Sequence, residues 1–225
     1  YLRKTVDGAA TNGKIYTVSM WVKHSGHLQS LGGSYDANGR PLYCVREQDE
    51  DEDIVSIYDD NTAGGEGTIS IVWENSAGSP AKKTRRSYKI FRDPAAWYHL
   101  VFAWDSTQGT AANRLRVYVN NVEITSWRSD IGAGDDPTSD EVFRWNADTE
   151  ILDIGHHQTN PAGDGTEHWY EGYMAEFHNI DGQQLTPSSF GEAGDYGEWK
   201  PIEVSGLTYG NNGIYLPFKQ DYTVE

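Results

Sequence analysis

AWYHLVFAWD, residues 96–105, is the stretch that most clearly indicates the fold class. Successive side chains of an extended strand point to opposite faces of a sheet. Large, mostly apolar side chains fall on one face: Tyr98, Leu100, Phe102 and Trp104. The other face is mixed: Trp97, His99, Val101 and Ala103. We predict a strand whose first face is buried in the core, with Trp97 and His99 left for other roles.

The same alternation recurs along the chain, in IYTVSMWVK (15–23), GTISIVWE (67–74) and RLRVYVNNVEI (114–124). No apolar stripe with a helical period of 3.6 residues persists anywhere. The pair Asn120-Asn121 tolerates the positive φ angles of a two-residue hairpin. We therefore predict an all-β chain folded as a two-sheet antiparallel jelly-roll sandwich.

The C-terminal third carries three further local signals. GYMAEFHNID (172–181) predicts a strand with Tyr173, Ala175 and Phe177 on one side. Thr186 as N-cap and Pro187 at the first helical position predict one helical turn near 187–191. The sequence around Asn211-Asn212-Gly213 predicts a last hairpin, and Pro217 predicts that its second strand lies at an edge.

The composition of the chain limits which partners it can bind and indicates the compartment in which it folds. The 18 basic and 34 acidic side chains give a formal charge of −16, which repels phosphate backbones and anionic lipid surfaces and argues against nucleic acid and membranes as partners. A single cysteine, Cys44, excludes an intrachain disulfide and suits folding in a reducing cytoplasm. No apolar run approaches membrane-spanning length. We expect residues 1–225 to form one domain that is a piece of a longer chain.

Two acidic stretches separate the predicted strands. EQDEDED (47–53) is typical of a solvated loop, with binding of cations or of a basic partner as the alternative. GAGDDPTSDE (132–141) is a turn-rich loop with four carboxylates, and hard cations need several oxygen ligands around one point. Calcium is therefore a candidate ligand of Asp135, Asp136 and Asp140, although no EF-hand spacing is present.

A candidate sugar-binding site lies in GHHQTNPAGDGTEHWYEG (155–172), predicted as one long loop. Sugars present flat apolar faces edged by hydroxyls, so their binders combine exposed aromatic rings with amides and carboxylates. The candidate ligand-binding residues are His156, His157, Gln158, Asn160, Asp164, His168, Trp169 and Tyr170. The alternative is that Trp169 and Tyr170 begin the next strand and pack inward.

The sequence contains no complete motif of a glucanase or of a zinc enzyme. Glucanases on a sandwich fold resemble one another in a strand motif E-x-D-x-E, which places two carboxylates on one face. Here Glu150 and Asp153 are three positions apart and point to opposite faces, and Gly155 stands where a second acid would follow. Zinc would need three convergent ligands, so the pairs His24/His27 and His156/His157 are interpreted as surface histidines. We expect no enzyme, with a glucanase-type glycoside hydrolase as the alternative.

Several segments resemble concanavalin A-like, laminin-G-type domains of structural proteins from tailed bacteriophages, notably marine ones. The resemblance runs over about residues 15–218 and is carried by YTVSMWVK (16–23), the run 91–127, ILDIG (151–155) and YGNNGIYLPF (209–218). Its most specific part is GYMAEFHNIDGQQLTPSSFGE (172–192). The family usually has Asn-Gly at Asn120-Asn121. The acidic run 47–53 and the insertion 159–168 lie outside its pattern.

The resemblance implies a virion module assembled in the host bacterial cytoplasm: a tail fibre, a tail-tip component or a capsid decoration protein. It also implies adhesion to a host-surface glycan or contact with neighbouring virion proteins, further copies of this chain included. Neither partner is favoured by the resemblance itself.

Overall fold

The computed structural model describes residues 1–24, 40–46, 53–60, 67–75, 79–91, 93–128, 136–143, 145, 148–158 and 167–219. Within these ranges the chain forms β-strands and two single turns of 3-10 helix, at Ala111–Asn113 and Pro187–Ser189. None of the described helices is long and apolar enough to cross a membrane.

The first sheet has six antiparallel strands in the order β1-β10-β3-β4-β5-β6. Its strands are β1 (Leu2–Thr5), β3 (Arg40–Arg46), β4 (Asp53–Asp60), β5 (Thr68–Asn75), β6 (Ser79–Ile90) and β10 (Ile151–Ile154). Arg3 pairs with Asp153, and Asp153 pairs with Cys44. This register brings the start of the chain beside residues about 150 positions later.

The second sheet also has six antiparallel strands, in the order β16-β13-β2-β7-β8-β9. Its strands are β2 (Ile15–His24), β7 (Tyr98–Asp105), β8 (Leu115–Val119), β9 (Val122–Glu123), β13 (Gly172–Asp181) and β16 (Ile214–Leu216). Two small two-stranded sheets complete the described strands: β11 (His156–Gln158) with β12 (Glu167–Trp169), and β14 (Gly191–Ala193) with β15 (Trp199–Pro201).

The two large sheets pack face to face around an aromatic core. Trp73 of the first sheet meets Trp104 of the second edge-on, with ring centroids 5.4 Å apart. The side chains predicted to face inward belong to this core: Tyr16, Val18, Met20, Val22, Ile69, Ile71, Trp73, Leu100, Phe102, Trp104, Leu115, Val117 and Val119. The predicted all-β, two-sheet antiparallel sandwich is confirmed.

The outer face of the second sheet is covered where the sequence indicates a mixed surface. Val101, Ala103 and Ile180 form a second apolar cluster beneath the segment 183–209. His99 is fully buried there and accepts a hydrogen bond at Nδ1 from Trp199 Nε1. The expectation that His99 is available on an open face is therefore wrong, because a segment more than 80 residues later folds over it. Trp97, in contrast, is 40% exposed.

A β-bulge in β13 changes which side chains face the core. The pairing of β13 with β2 shifts between Ala175 and His178, and Glu176 adopts a φ of 48°. Met174 and Phe177 therefore both pack against the core, whereas strict alternation places them on opposite sides. The bulge inserts one residue into the strand and reverses the alternation beyond it.

The predicted hairpin at Asn120-Asn121 is confirmed, since both residues have positive φ and β8 pairs with β9. The helical turn is present at Pro187–Ser189, shorter than the predicted 187–191 because Gly191 begins β14. The turn at Ala111–Asn113 was not predicted.

The hairpin predicted around Asn211-Asn212-Gly213 is not formed. β16 pairs with β13 instead, and it lies at the edge of the sheet as Pro217 predicts. The preceding turn is held by the buried carboxylate of Asp181, which accepts hydrogen bonds from the backbone N–H groups of Thr11 and Asn212 at 2.7 and 3.3 Å. This carboxylate fixes the turn before β16, and residues 206–209, the predicted first strand of the hairpin, form no strand.

Candidate functional site

A buried carboxylate organises the outer face of the first sheet at β10. Asp153 is fully buried and accepts hydrogen bonds from Arg3 Nε at 2.6 Å and Arg3 Nη2 at 2.8 Å. Arg46 Nε lies 3.5 Å from Oδ2, and His156 Nδ1 lies 3.3 Å from the same oxygen. Because an ionised carboxylate only accepts hydrogen bonds, we assign the His156 proton to Nδ1.

Three aromatic rings pack together above this carboxylate, and we call Tyr1, His156 and Trp169 the aromatic platform. Tyr1 stacks on His156 with centroids 4.1 Å apart, and Trp169 lies 4.4 Å from His156 and 5.0 Å from Tyr1. Arg3 places its Cζ 5.3 Å from the Tyr1 centroid. Tyr1 is 58% exposed and Trp169 is 45% exposed, whereas His156 is 1% exposed. The platform thus presents two rings to solvent on a buried, hydrogen-bonded base.

Much of the segment predicted as one long loop is a two-stranded sheet. His156 pairs with Trp169, and the ladder continues to Gln158 opposite Glu167. This pairing places Trp169 beside His156 although thirteen positions separate them in sequence. The prediction of a continuous loop over 155–172 is wrong at both of its ends, because the flanking residues pair as β11 and β12.

The predicted sugar-binding residues divide into separate groups. Trp169 and His156 meet in the aromatic platform, whereas Tyr170 packs against the core and donates its hydroxyl to the backbone oxygen of Lys23 at 3.1 Å. The inward alternative therefore holds for Tyr170 and not for Trp169. His157 is buried and, with Gln158 and His168, takes part in the β11–β12 ladder. Asn160 and Asp164 lie outside the described residues.

The interpretation of the paired histidines as surface residues is wrong for His24, His156 and His157, which are 4%, 1% and 4% exposed. Each lies in a strand that packs against others, so its ring is covered by neighbouring strands. His27 lies outside the described residues. In the part of the chain that the structure describes, no group of three or more His, Cys, Asp or Glu side chains is placed to hold a metal.

The two acids of the glucanase-like stretch do not converge. Leu152 and Ile154 face the core between the sheets, while Asp153 faces the other way and pairs with Arg3. Glu150 precedes β10 and has the same parity as Leu152, so alternation would direct it away from Asp153. Both carboxyl groups are buried, at 1% and 0% exposure.

Two of the three predicted calcium ligands are engaged by cations of the protein. Asp136 forms an ion pair with the buried Arg85, and Asp140 lies 2.8 Å from Lys14 Nζ. Lys14 lowers the pKa of the Asp140 carboxyl by a hydrogen bond and by its charge. Asp135 lies outside the described residues, so calcium binding in this loop stays a prediction.

The sequence reasoning missed Tyr1, Arg3 and Arg46. Nothing in the local pattern of LRKT (2–5) or RPLYCVR (40–46) distinguishes them from ordinary strand residues. The register of three strands brings them to Asp153. A buried Asp in the strand 151–154 was the available signal, since a buried carboxylate requires cationic or hydrogen-bonding partners.

No protein-family model and no curated protein matches this chain. Among solved structures, it resembles a heptameric SAP-like pentraxin from Limulus polyphemus at 19% identity and a TM-score of 0.47, over 82% of this chain and 70% of that one. It also resembles a Bacteroides ovatus protein assigned a carbohydrate-binding role, at 16% identity and a TM-score of 0.46. The match covers 83% of this chain and 46% of that one. A third similar structure is the CBM40 domain of Ruminococcus gnavus IT-sialidase bound to α2,3-sialyllactose, at 13% identity and a TM-score of 0.43. The match covers 77% of this chain and 87% of that one.

Proposed function

We propose that this chain is a non-catalytic module that binds glycans on the aromatic platform of Tyr1, His156 and Trp169. The observation that carries this proposal is the pair of exposed rings, Tyr1 and Trp169, fixed on a buried histidine beside a partly exposed arginine. Solvent-exposed aromatic side chains on a rigid base are groups on which sugar rings stack.

The base of the platform supports binding because it is already ordered. Arg3 and His156 both contact the Asp153 carboxylate, at 2.6 and 3.3 Å. A ligand that stacks on Trp169 would therefore meet a surface whose side-chain entropy is already largely lost on folding, which lowers the cost of binding.

The same residues support binding without hydrolysis. The Asp153 carboxylate contacts His156 of the platform and is enclosed by Arg3, Arg46 and His156. A retaining glycosidase needs a second carboxyl group about 5 Å away, facing the same sugar. Alternation would direct Glu150 to the opposite side of the strand. A reducing-sugar assay on neutral and acidic polysaccharides tests this point, and sustained turnover would establish the hydrolase alternative.

We further propose that the module is carried on a phage virion, in a tail fibre, a tail tip or a capsid decoration. The resemblance of residues 172–192 to virion domains supports this proposal. Multiple copies on a particle would convert weak glycan contacts into firm adhesion. The competing proposal is docking onto other virion proteins or copies of this chain, which predicts stable oligomers and no glycan binding.

Calcium at Asp135, Asp136 and Asp140 is a subsidiary proposal. It rests on the carboxylate density of the loop 132–141. Binding would raise the melting temperature in millimolar CaCl2 relative to EDTA. An unchanged melting temperature, together with an Asp140→Asn variant that melts identically in both buffers, would contradict calcium binding by this loop.

A glycan array probed with the 225-residue chain tests the proposed function. Wild type should bind a defined set of glycans, and Trp169→Ala should lower the affinity about tenfold or more, as expected for loss of an aromatic anchor. Tyr196→Ala is the matched control, because Tyr196 is 96% exposed and lies outside the platform. Circular dichroism would verify that both variants fold. Equal binding by wild type and Trp169→Ala would contradict the proposal.

A further inference from the structure

Three side chains on the outer face of the second sheet lie in one row across adjacent strands, and we call Trp97, Lys23 and Tyr173 the Trp97 row. Lys23 of β2 pairs directly with Tyr173 of β13. Val22 of β2 pairs with Tyr98 of β7, so Trp97, one position earlier, lies beside Lys23. We propose that this row is a second binding site, for a linear polysaccharide that carries carboxylate groups.

Both aromatic side chains of the row point to solvent. Tyr98 and Met174 pack against the core between the sheets, so their neighbours Trp97 and Tyr173 face outward by alternation. Trp97 is 40% exposed and Tyr173 is 60% exposed. Exposed apolar surface costs roughly 25 cal/mol per Å², and a concentration of it on one sheet face marks a binding surface.

The spacing of the two rings suits a polysaccharide. Trp97 and Tyr173 are separated by two inter-strand steps, which places their backbones about 10 Å apart. This separation is close to the length of a disaccharide repeat in an extended glycan chain. The chain would cross the strands, stack on one ring at each end, and pass over Lys23 between them.

The next row along the strands is buried and borders the Trp97 row. Trp21 pairs with Ala175 on one side and with His99 on the other. Trp21 is 5% exposed and stacks on His99 with centroids 4.8 Å apart. The covering segment lies over this row at His99, to which Trp199 donates a hydrogen bond.

The backbone beneath the row is held in place. Tyr170 donates its hydroxyl to the Lys23 carbonyl oxygen at 3.1 Å. A Cβ at Gly172 would collide with that same oxygen and with the Tyr170 ring, so the start of β13 approaches the end of β2 closely. On the other side, the backbone N–H of Asp93 donates to the Tyr98 hydroxyl at 3.1 Å. The rings are therefore presented on fixed strands, which favours binding.

Charge selects the class of polysaccharide. Lys23 lies between the two aromatic residues in the strand register, so its side chain could reach a carboxylate on the middle sugar and form a charge-assisted hydrogen bond. The nearby Glu171 is directed elsewhere, since its carboxylate lies 4.0 Å from Arg40 of the first sheet. The net charge of −16 repels a carboxylate-bearing chain at long range, as it repels other polyanions, and physiological salt screens this repulsion beyond about 8 Å.

Binding of the 225-residue chain to immobilised polygalacturonate tests the proposal, with methyl-esterified polygalacturonate as the uncharged counterpart. Wild type should bind the acid form and bind the ester at least tenfold more weakly. Trp97→Ala and Tyr173→Ala should each weaken binding about tenfold. Lys23→Gln should abolish the preference for the acid form, and Lys23→Arg should restore it. Tyr88→Ala, which removes a 57% exposed ring from the first sheet, should bind as wild type.

The outcomes separate this site from the aromatic platform. Loss of polygalacturonate binding in the Trp97 row variants with full binding by Trp169→Ala supports the second site. No binding by wild type, equal binding of the acid and the ester, or loss only in Trp169→Ala would overturn it. The last result would still support the proposed function. Thermal melts of every variant ensure that a loss of binding reflects the site and not unfolding.

Discussion

Trp199 donates its indole N–H to Nδ1 of His99 across 2.9 Å, joining the covering segment 183–209 to the middle of the second sheet. An indole nitrogen only donates, so Nδ1 accepts and Nε2 carries the proton, which it donates to Ser19 Oγ at 2.9 Å. Both ring nitrogens of His99 are thereby satisfied in the neutral form. Removing this hydrogen bond therefore tests whether it holds the covering segment on the sheet.

Trp199→Phe should therefore destabilise the protein by about 1–3 kcal/mol, because it leaves Nδ1 of a buried histidine without its donor. Urea unfolding measures the change. Tyr196→Phe, in the same segment at a 96% exposed position, should change stability by less than about 0.5 kcal/mol. Equal stability of Trp199→Phe and wild type would show that the bond does not hold the segment.

Acid should weaken this face of the protein. Burial lowers the pKa of His99 to about 3, helped by the charge of His178, and burial lowers the pKa of His178 to about 4. As the pH falls, the unfolded chain binds these protons near pH 6.5, whereas the folded chain binds them only near pH 3 to 4. The contribution of the two neutral histidines to the free energy of unfolding is therefore complete above pH 6.5 and is lost as the pH falls toward 3 to 4. The loss should amount to a few kcal/mol, of order 1.4 kcal/mol per pH unit for each group.

NMR titration of the imidazole signals checks this expectation directly. His99 and His178 should stay neutral down to about pH 4, and urea unfolding should show stability falling steadily from pH 6.5 to pH 4.5. A midpoint near 6.5 for either ring in the folded protein would contradict the burial of that histidine.

Gly210→Ala should destabilise the protein by more than about 2 kcal/mol. Gly210 has a φ of 75°, and a Cβ there would collide with the backbone oxygen of Asp181. The strained φ and the collision act together, at the turn that Asp181 holds. Gly109→Ala is the matched control, since nothing lies within 4 Å of its added Cβ. Thermal melting of the two variants should differ clearly.

The hairpin residues Asn120 and Asn121 should respond differently to glycine. Both have positive φ, of 48° and 66°, which glycine adopts readily. Asn120 also accepts a hydrogen bond at Oδ1 from the His99 backbone N–H at 2.7 Å, so Asn120→Gly loses that bond and should cost about 1 kcal/mol. Asn121→Gly should be neutral or slightly stabilising. Chemical denaturation that ranks the two variants in the opposite order would refute this division of roles.

Asp153→Asn should destabilise the protein by about 3–5 kcal/mol, because it removes the buried negative charge that Arg3 and the buried Arg46 share. The aromatic platform should loosen with it, since His156 also contacts this carboxylate. Glu192→Gln breaks an exposed pair with Lys200 and should cost less than about 0.5 kcal/mol. Differential scanning calorimetry on the two variants would compare a buried ion pair with an exposed one.

The local pattern of the chain was sufficient for much of the fold. Alternation in 15–23, 67–74 and 98–104 identified the core face of three strands, because period-two burial is encoded within each strand. The hairpin at Asn120-Asn121 and the turn at Pro187 were also predictable, since each depends on the backbone preferences of two or three adjacent residues.

Other features depended on residues distant in sequence. The bulge at Glu176 reverses the faces of β13, and no neighbouring residue signals it. His99 looked available on its strand, yet Trp199 covers it from 100 positions away. The candidate sugar site contained Trp169 and His156 from the start, but Tyr1 and Arg3 join them through pairing of β1 with β10.

The core faces of β2, β5 and β7 could thus be read from adjacent residues, because each of these strands buries the apolar half of its own alternating pattern. Adjacent residues did not reveal which outer faces stay open, which histidines stay neutral or which aromatic rings meet. These features follow from the order of strands in each sheet and from the segment that covers the second sheet. The aromatic platform and the Trp97 row both belong to this second class: each joins side chains from separate strands that come together when the sheets assemble.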